Sequence, residues 1–584
     1  MPADAWGSEL ASWSPLVTML AIFGAIVVAL LVAGRGSVLE RIPNALERLT
    51  GIPGWAAAAA GTAMYGLLVA GEGFYSDVAW HIALGRDEVL FTAPHTSIVI
   101  GLGMILVASA LGVLFATVQR IDTGLRLGRL RVPWSMIPLS ALGGAAVAGF
   151  PLDELWHEQY GIDVTMWSPT HMLMILGASF SGMASWLVLA DAGVSPRDSR
   201  WARGAHVLAA WLTLMGLTSS QGEFDFGVPQ FQQIFHPILV TLAAAFGLVA
   251  IRIVHGAGWA IGIAVGSVVL QTTPILGDSG PVPTRTGGLL VVSAVVVEMA
   301  ARLLGTDRRL RFALVSGVGV ATIGLAAEWV WNQGAHQPWR ASLLPDALWL
   351  SLLVGLGAAT VGVAFARCVA RESPSLRVHP GLVVVGGMAV LAALAIPMPR
   401  GVGDVTADIH LEAEGDEQAR VRVRLDPVDA ADDARWFQTI SWQGGELVLS
   451  EMDEVAPGEY LSEDAMPIGG RGKVLVRLHR GGELMAAPVY FPADREIGEP
   501  EIPAVDRVVP FTGEREFLLR ETTDGDAWFE WVVYGLLSAV AVGWVAAFVF
   551  AAGKVASGSR RQPPVDAASR VLRPFASSTK AAAG

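Results

Sequence analysis

Cysteine is nearly absent. Cys368 is the one cysteine among 584 residues, which excludes an intramolecular disulfide, a cysteine-rich zinc site and a cysteine-ligated iron–sulfur cluster. Any metal must therefore be held by nitrogen, oxygen or methionine sulfur. Charge is scarce as well: 16% of residues are Asp, Glu, Lys or Arg while 53% are hydrophobic, against about 25% charged in an average soluble domain. So apolar a chain cannot hide in one water-soluble core, and composition places it largely in a membrane. Tyrosine is rare, 6 against 20 tryptophans, whereas 66 glycines suit close helix packing. The net charge of -13 argues against nucleic acid as a partner.

Apolar runs near the ~20 residues that cross a bilayer fall at 15–34, 53–71, 96–118, 133–150, 172–191, 205–220, 236–254, 256–275, 287–304, 312–331, 343–366, 381–398 and 529–552. The expected fold is thus a polytopic α-helical membrane protein of about 13 spans. Every second connection is basic: Arg35, Arg41 and Arg48, then Arg120 to Arg131, Arg197 to Arg203, Arg308 to Arg311, Arg367 to Arg377, and Lys554 to Arg561. By the positive-inside rule these face the cytoplasm, with the N-terminus outside and the C-terminus inside a cell membrane.

The chain divides into a bundle of about 12 spans over 1–400, a domain over 401–526, a last span at 527–553 and a disordered cytoplasmic tail over 554–584. In the second of these, short apolar runs alternate with charge. Arg420 to Leu425 reads as a half-buried strand, and Val474 to His479 with Leu484 to Phe491 reads as a hairpin. An extracytoplasmic β-sandwich is the expected fold. Between Asp404 and Asp526 stand 28 acidic and 12 basic residues, a net of -16 that exceeds the charge of the whole chain.

The most informative feature is a duplication. Residues 73–101 and 149–177 share the pattern GFxxDxxWHxxxGxDxxxxxxxHxxxxxG at a constant offset of 76, with nine identities and no gap. Such self-similarity marks a repeated helical hairpin. Asp77 and His81 are four apart, as are Asp153 and His157, so on a helix each pair shares a face, as metal ligands or as an orienting pair. His95 and His171 follow the N-cap candidates Thr92 and Ser168, with Pro94 and Pro169 in the first turn, so each should open a returning helix. The candidate metal ligands are Asp77, His81, His95, Asp153, His157 and His171. Asp87 and Asp163 are candidate outer partners of the imidazoles, or solvated loop residues.

Two further groups are polar: Glu223, Asp225 and His236 between the sixth and seventh spans, and Glu328, Asn332 and His336 at the end of the tenth. Their convergence with the repeats would make one polar chamber beneath the acidic domain; hydration of loops is the other reading. Met166, Met172, Met174 and Met183 could offer sulfur, or simply pack.

At Asp77, His81 and His95 the order resembles the metal-binding motif of the C subunit of copper membrane monooxygenases, where an Asp, a His four later and a second His about thirteen beyond bind a metal. The final interval here is fourteen, in both hairpins. A membrane bundle followed by a β domain is also similar to bacterial copper-handling membrane proteins with a fused β-sandwich. The resemblance implies a transition metal, with copper ahead of zinc, iron or manganese. The favoured expectation is capture, delivery or metalloenzyme assembly at the outer face, with lipid and other membrane or extracytoplasmic metalloprotein chains as partners. The alternatives are a copper monooxygenase-like oxidoreductase, a polytopic glycosyltransferase and a structural membrane subunit.

Overall fold

The computed structural model describes residues 14–32, 38–85, 91–160, 166–272, 287–372, 401–415, 417–494, 499–518 and 526–558. The expected span at 381–398, Asp87, Asp163 and the tail from 559 onward lie outside them.

The helices are α1 (Ser14–Val32), α2 (Arg41–Thr50), α3 (Gly54–Leu84), α4 (Ala93–Gln119), α5 (Met136–Tyr160), α6 (Pro169–Asp191) and α7 (Arg200–Thr218). A short α8 (Gly222–Phe226) leads to α9 (Phe235–His255), α10 (Trp259–Thr272), α11 (Val291–Leu304), α12 (Arg309–Gly319), α13 (Leu325–Asn332) and α14 (Leu344–Val369). A π-helical turn, Val320–Gly324, joins α12 to α13. The last helix, Ala527–Gly558, follows the β domain and runs five residues past the expected end of its span.

Among the described residues, nine helices are long and apolar enough to cross a membrane. The expected sixth, eighth and ninth spans coincide with α7, α10 and α11. Helix α7 carries Arg200, Arg203 and His206; α10 and α11 have 14 residues each as described, about 21 Å of rise against a hydrocarbon core of about 30 Å. Helix α1 and the last helix turn apolar side chains outward, including Leu31 at 64% exposure and Trp531 at 78%.

The basic connections meet at one end of the bundle. Ser199 donates to the Thr50 carbonyl at 2.9 Å and Gln119 reaches Glu47 at 3.2 Å. Helices α3 and α5 start there; α3 ends against the β domain and α5 against the start of the last helix. Both continue well past the apolar windows at 53–71 and 133–150, to Leu84 and Tyr160, because a helix needs only its hydrogen bonds and one packed face.

A small hairpin, β1 (Leu125–Leu127) and β2 (Leu130–Val132), connects α4 to α5. The β domain holds β3 (Thr406–Ala413), β4 (Gln418–Asp426), β5 (Ala434–Trp442), β6 (Val448–Ala456), β7 (Glu459–Ser462), β8 (Met466–Pro467), β9 (Lys473–Arg480), β10 (Glu483–Tyr490), β11 (Arg507–Pro510) and β12 (Thr512–Gly513). Here the structure corrects the sandwich expectation. One antiparallel sheet runs in the order β11-β3-β4-β7-β6-β5-β9-β10-β12, with β8 on β4. Strand β6 pairs with β5 through its first half and with β7 through its second, carrying the sheet around the bend. The two ends of the sheet are separated in sequence only by Phe511, so the sheet curls into a nearly closed barrel. Val421, Val423 and Leu425 point into its core and the intervening arginines point out, as the alternation requires.

Strand β9 is buried on both faces. Val474, Val476 and Leu478 enter the barrel core, while Arg477 and His479 meet the bundle. Arg477 donates to the Pro229 carbonyl, pairs with Glu514 and lies over Trp436. His479 Nδ1 faces the Glu483 carbonyl at 2.9 Å, which fixes the proton on Nδ1, and Nε2 accepts the Gln233 N–H at 3.1 Å.

Burial pushes the His479 pKa down to about 4, since a second proton would meet another N–H rather than an acceptor. The unfolded chain takes up that proton near pH 6.5, so the stability held by neutral His479 is complete above 6.5 and is lost as pH falls towards 4. Between pH 7.5 and 5.5 the expected loss is about 1.4 kcal/mol. Thermal unfolding of wild type and His479→Gln at both values tests this. The substitution should flatten the pH dependence, and an equal slope in both proteins would remove the assignment.

Candidate metal centre

Backbone contact builds the site. In the first hairpin a Cβ on Gly73 would stand 2.8 Å from the Ile98 nitrogen of α4, and one on Gly101 would stand 2.5 Å from the Ala70 nitrogen of α3. In the second, a Cβ on Gly149 would meet Met174 Cγ at 2.7 Å, and one on Gly177 would meet Ala146 Cβ at 2.8 Å. The four repeated glycines thus let each antiparallel helix pair approach to backbone distance. Ala70 and Ala146 are themselves related by the offset of 76, an identity just outside the repeat as read from sequence.

The returning helices start where the caps place them. Thr92 accepts the His95 N–H and Ser168 accepts the His171 N–H, with proline in each first turn. A capped first turn holds both histidines against the ends of α3 and α5.

The outcome is two three-residue groups. Asp77 Oδ1 lies 3.6 Å from His81 Nε2 and 3.1 Å from His95 Nε2. Asp153 Oδ2 lies 3.3 Å from both His157 Nε2 and His171 Nε2. In each group one donor atom per residue falls within 4.8 Å of the other two. Ligands about 2.0–2.1 Å from a tetrahedral ion stand roughly 3.3 Å apart, so the carboxylate-to-imidazole distances already fit a bound cation. The chemistry of one atom fits too: Asp77 Oδ1 is buried and accepts no hydrogen bond of good angle, although both imidazoles face it. His81 Nδ1 lies 3.0 Å from the Gly85 carbonyl. A carbonyl only accepts, so the proton sits on Nδ1 and the Nε2 lone pair is turned to the site, the tautomer that a metal requires.

The groups are neighbours. The Phe150 ring meets the His95 ring edge-on at 6.0 Å, and His171 lies within electrostatic reach of Asp77. The barrel borders the first: the Gln443 and Gly445 N–H groups donate to the Ile82 and Ala83 carbonyls at 2.8 and 3.0 Å. The last helix borders the second. Tyr160 donates to the Asp526 carbonyl at 2.7 Å, and Tyr534 donates to the Trp167 carbonyl at 3.3 Å.

The remaining polar candidates are engaged elsewhere. Glu223 accepts the Met166 and Gln230 N–H groups at 2.7 and 2.9 Å, tying the loop between α5 and α6 to its own loop. Asp225 is buried in α8. His236 stacks on Phe224 at 4.6 Å and accepts from Trp339 Nε1 at 3.0 Å. Glu328 receives the Leu289 and Leu290 N–H groups at 2.9 and 2.6 Å, ahead of α11. Asn332 accepts the Trp339 N–H at 2.8 Å, and His336 packs by Gly227. Among the described residues, only the two Asp/His groups gather three potential metal ligands. Met174 is used in packing under Gly149 and Met166 against Gly222.

Sequence reasoning missed Thr170, whose hydroxyl donates to Asp153 Oδ1 in a short hydrogen bond. Its position beside His171, in a turn already recognised as a helix start, was the available signal. Reasoning from sequence also missed Gln443 and Gly445, since nothing local marks a barrel turn as the cap of a distant helix.

No protein family, curated protein or solved structure matches the chain.

The glycine contacts predict a contrast within one hairpin. Gly101→Ala forces α3 and α4 apart and should lower stability by about 1–3 kcal/mol. Gly61→Ala, where no atom lies within 4 Å, should raise it by roughly 0.5–1 kcal/mol through helix propensity. Unfolding of the purified protein in detergent measures both, and similar effects of the two changes would count against the close crossing.

Proposed function

We propose that the chain is an integral membrane protein that binds a transition metal at Asp77–His81–His95 and Asp153–His157–His171, and that it serves in metal capture, delivery or metalloenzyme assembly. The observation that carries this reading is the convergence, twice, of one carboxylate and two imidazoles to ligand distance at the same end of a hydrophobic bundle. Ionisable groups near membrane depth are costly, and a shared task is the usual reason for keeping them. Three ligands leave coordination positions open, which suits an ion that must enter and leave.

Nitrogen and oxygen donors suit Cu(II), and the Asp-x-x-x-His order resembles a copper site, so copper is the preferred ion over zinc, iron or manganese. The alternating basic connections support an orientation with the groups and the acidic barrel outside the cell membrane. There, a domain with a net charge of -16 between Asp404 and Asp526 would raise the local concentration of cations.

Elemental analysis of the purified full chain tests the reading. After loading with metal in excess, wild type should carry two equivalents. Asp77→Ala/His81→Ala and Asp153→Ala/His157→Ala should each retain about half, and the quadruple variant essentially none. Metal-free wild type after loading, or unchanged content in all variants, would overturn it.

A further inference from the structure

We infer that the two groups are unequal partners: Asp153–His157–His171 is a retained site that binds a divalent ion tightly, and Asp77–His81–His95 is an exchange site that binds it more weakly. This rests on the metal-binding reading above and goes beyond it by assigning a separate task to each copy.

The asymmetry arises at one position. Thr170 holds Asp153 Oδ1 and leaves Oδ2 equidistant, at 3.3 Å, from both imidazole nitrogens. The equivalent of Thr170 at the repeat offset is Pro94, which has no side-chain donor. Asp77 likewise turns one oxygen to its imidazoles, but at unequal distances of 3.6 and 3.1 Å. A carboxylate already fixed in its binding orientation loses less freedom when an ion arrives, so affinity rises without a new ligand.

Packing reinforces the difference. Asp153 is buried, while Asp77 is half-buried. Trp156, between Asp153 and His157, is buried against Tyr160 at 4.3 Å and Tyr534 of the last helix at 6.1 Å. Its counterpart Trp80 is half-buried. The first group ends instead at the barrel turn, where Gly85, with φ at +88°, packs against Gln443. With the Phe150 ring against His95, an ion leaving the exchange site stands one aromatic wall from the retained one.

Equilibrium dialysis of metal-free full-length protein against chelator-buffered Cu(II), with electron paramagnetic resonance at half loading, tests the assignment. Two classes of site are expected, separated by about tenfold or more in affinity, as loss of an outer-sphere hydrogen bond typically produces. At half loading one signal should dominate. It should vanish in Asp153→Ala/His157→Ala and persist in Asp77→Ala/His81→Ala. Thr170→Val should merge the tight class into the weak one, and Thr170→Ser, which keeps the hydroxyl, should restore it. Two equal sites, or a tight class that follows the Asp77 group, would overturn the inequality while leaving metal binding intact. Absence of bound Cu(II) in wild type would instead overturn the metal reading itself. Because the double variants report on the inequality by themselves, a poorly folded Thr170→Val protein leaves the test in force.

Discussion

Backbone-to-backbone contact between antiparallel helices is the constraint on which the candidate site depends. An imidazole on one helix reaches a carboxylate on the next only if the two axes run close, and side chains larger than hydrogen at Gly73, Gly101, Gly149 or Gly177 would hold them apart. The same contact fixes rotation about each axis. With Gly73 facing α4, Asp77 and His81 follow on the same stripe one and two turns later, and so face His95.

Much of this was legible in the sequence, and for a physical reason. A fixed offset exposes repeated packing requirements, so the glycines, the caps and the Asp and His residues declared themselves together. Hydropathy windows were poorer guides to helix ends. Helices α3 and α5 continue through Glu72 to His81 and through Asp153 to His157, where the chain turns polar but the helical stripe persists. The barrel was half legible: alternation marked β4 and the β9–β10 hairpin, whereas the pairings that curl the sheet join strands remote in sequence. Thr170 escaped because hydroxyls at helix starts normally serve backbone, and only the fold brings this one to Asp153.

The β domain is more than an appendage carrying charge. Its contact with the bundle combines polar and apolar groups: Arg477 on Pro229, His479 on Gln233, the Gln443–Gly445 turn on the end of α3, and Val228 packed among Ile440, Leu475 and Phe491. Gly227, in a left-handed turn, lets His336 and the barrel residue Leu449 close on the same point. The loop between α8 and α9 is therefore clamped between the two halves of the protein, and the buried Glu223 of α8, which accepts the Gln230 N–H of that loop, passes the restraint to Met166, five residues before His171. The geometry of the second group is thus tied to the barrel as well as to its own hairpin.

The duplication has an evolutionary consequence. Two identical hairpins associating as a symmetric pair would be bound to two identical sites, because any substitution would appear in both. Joined in one polypeptide, the copies are released from that symmetry, and a change confined to one of them, such as a threonine where the other has a proline, can divide a single ancestral task into two.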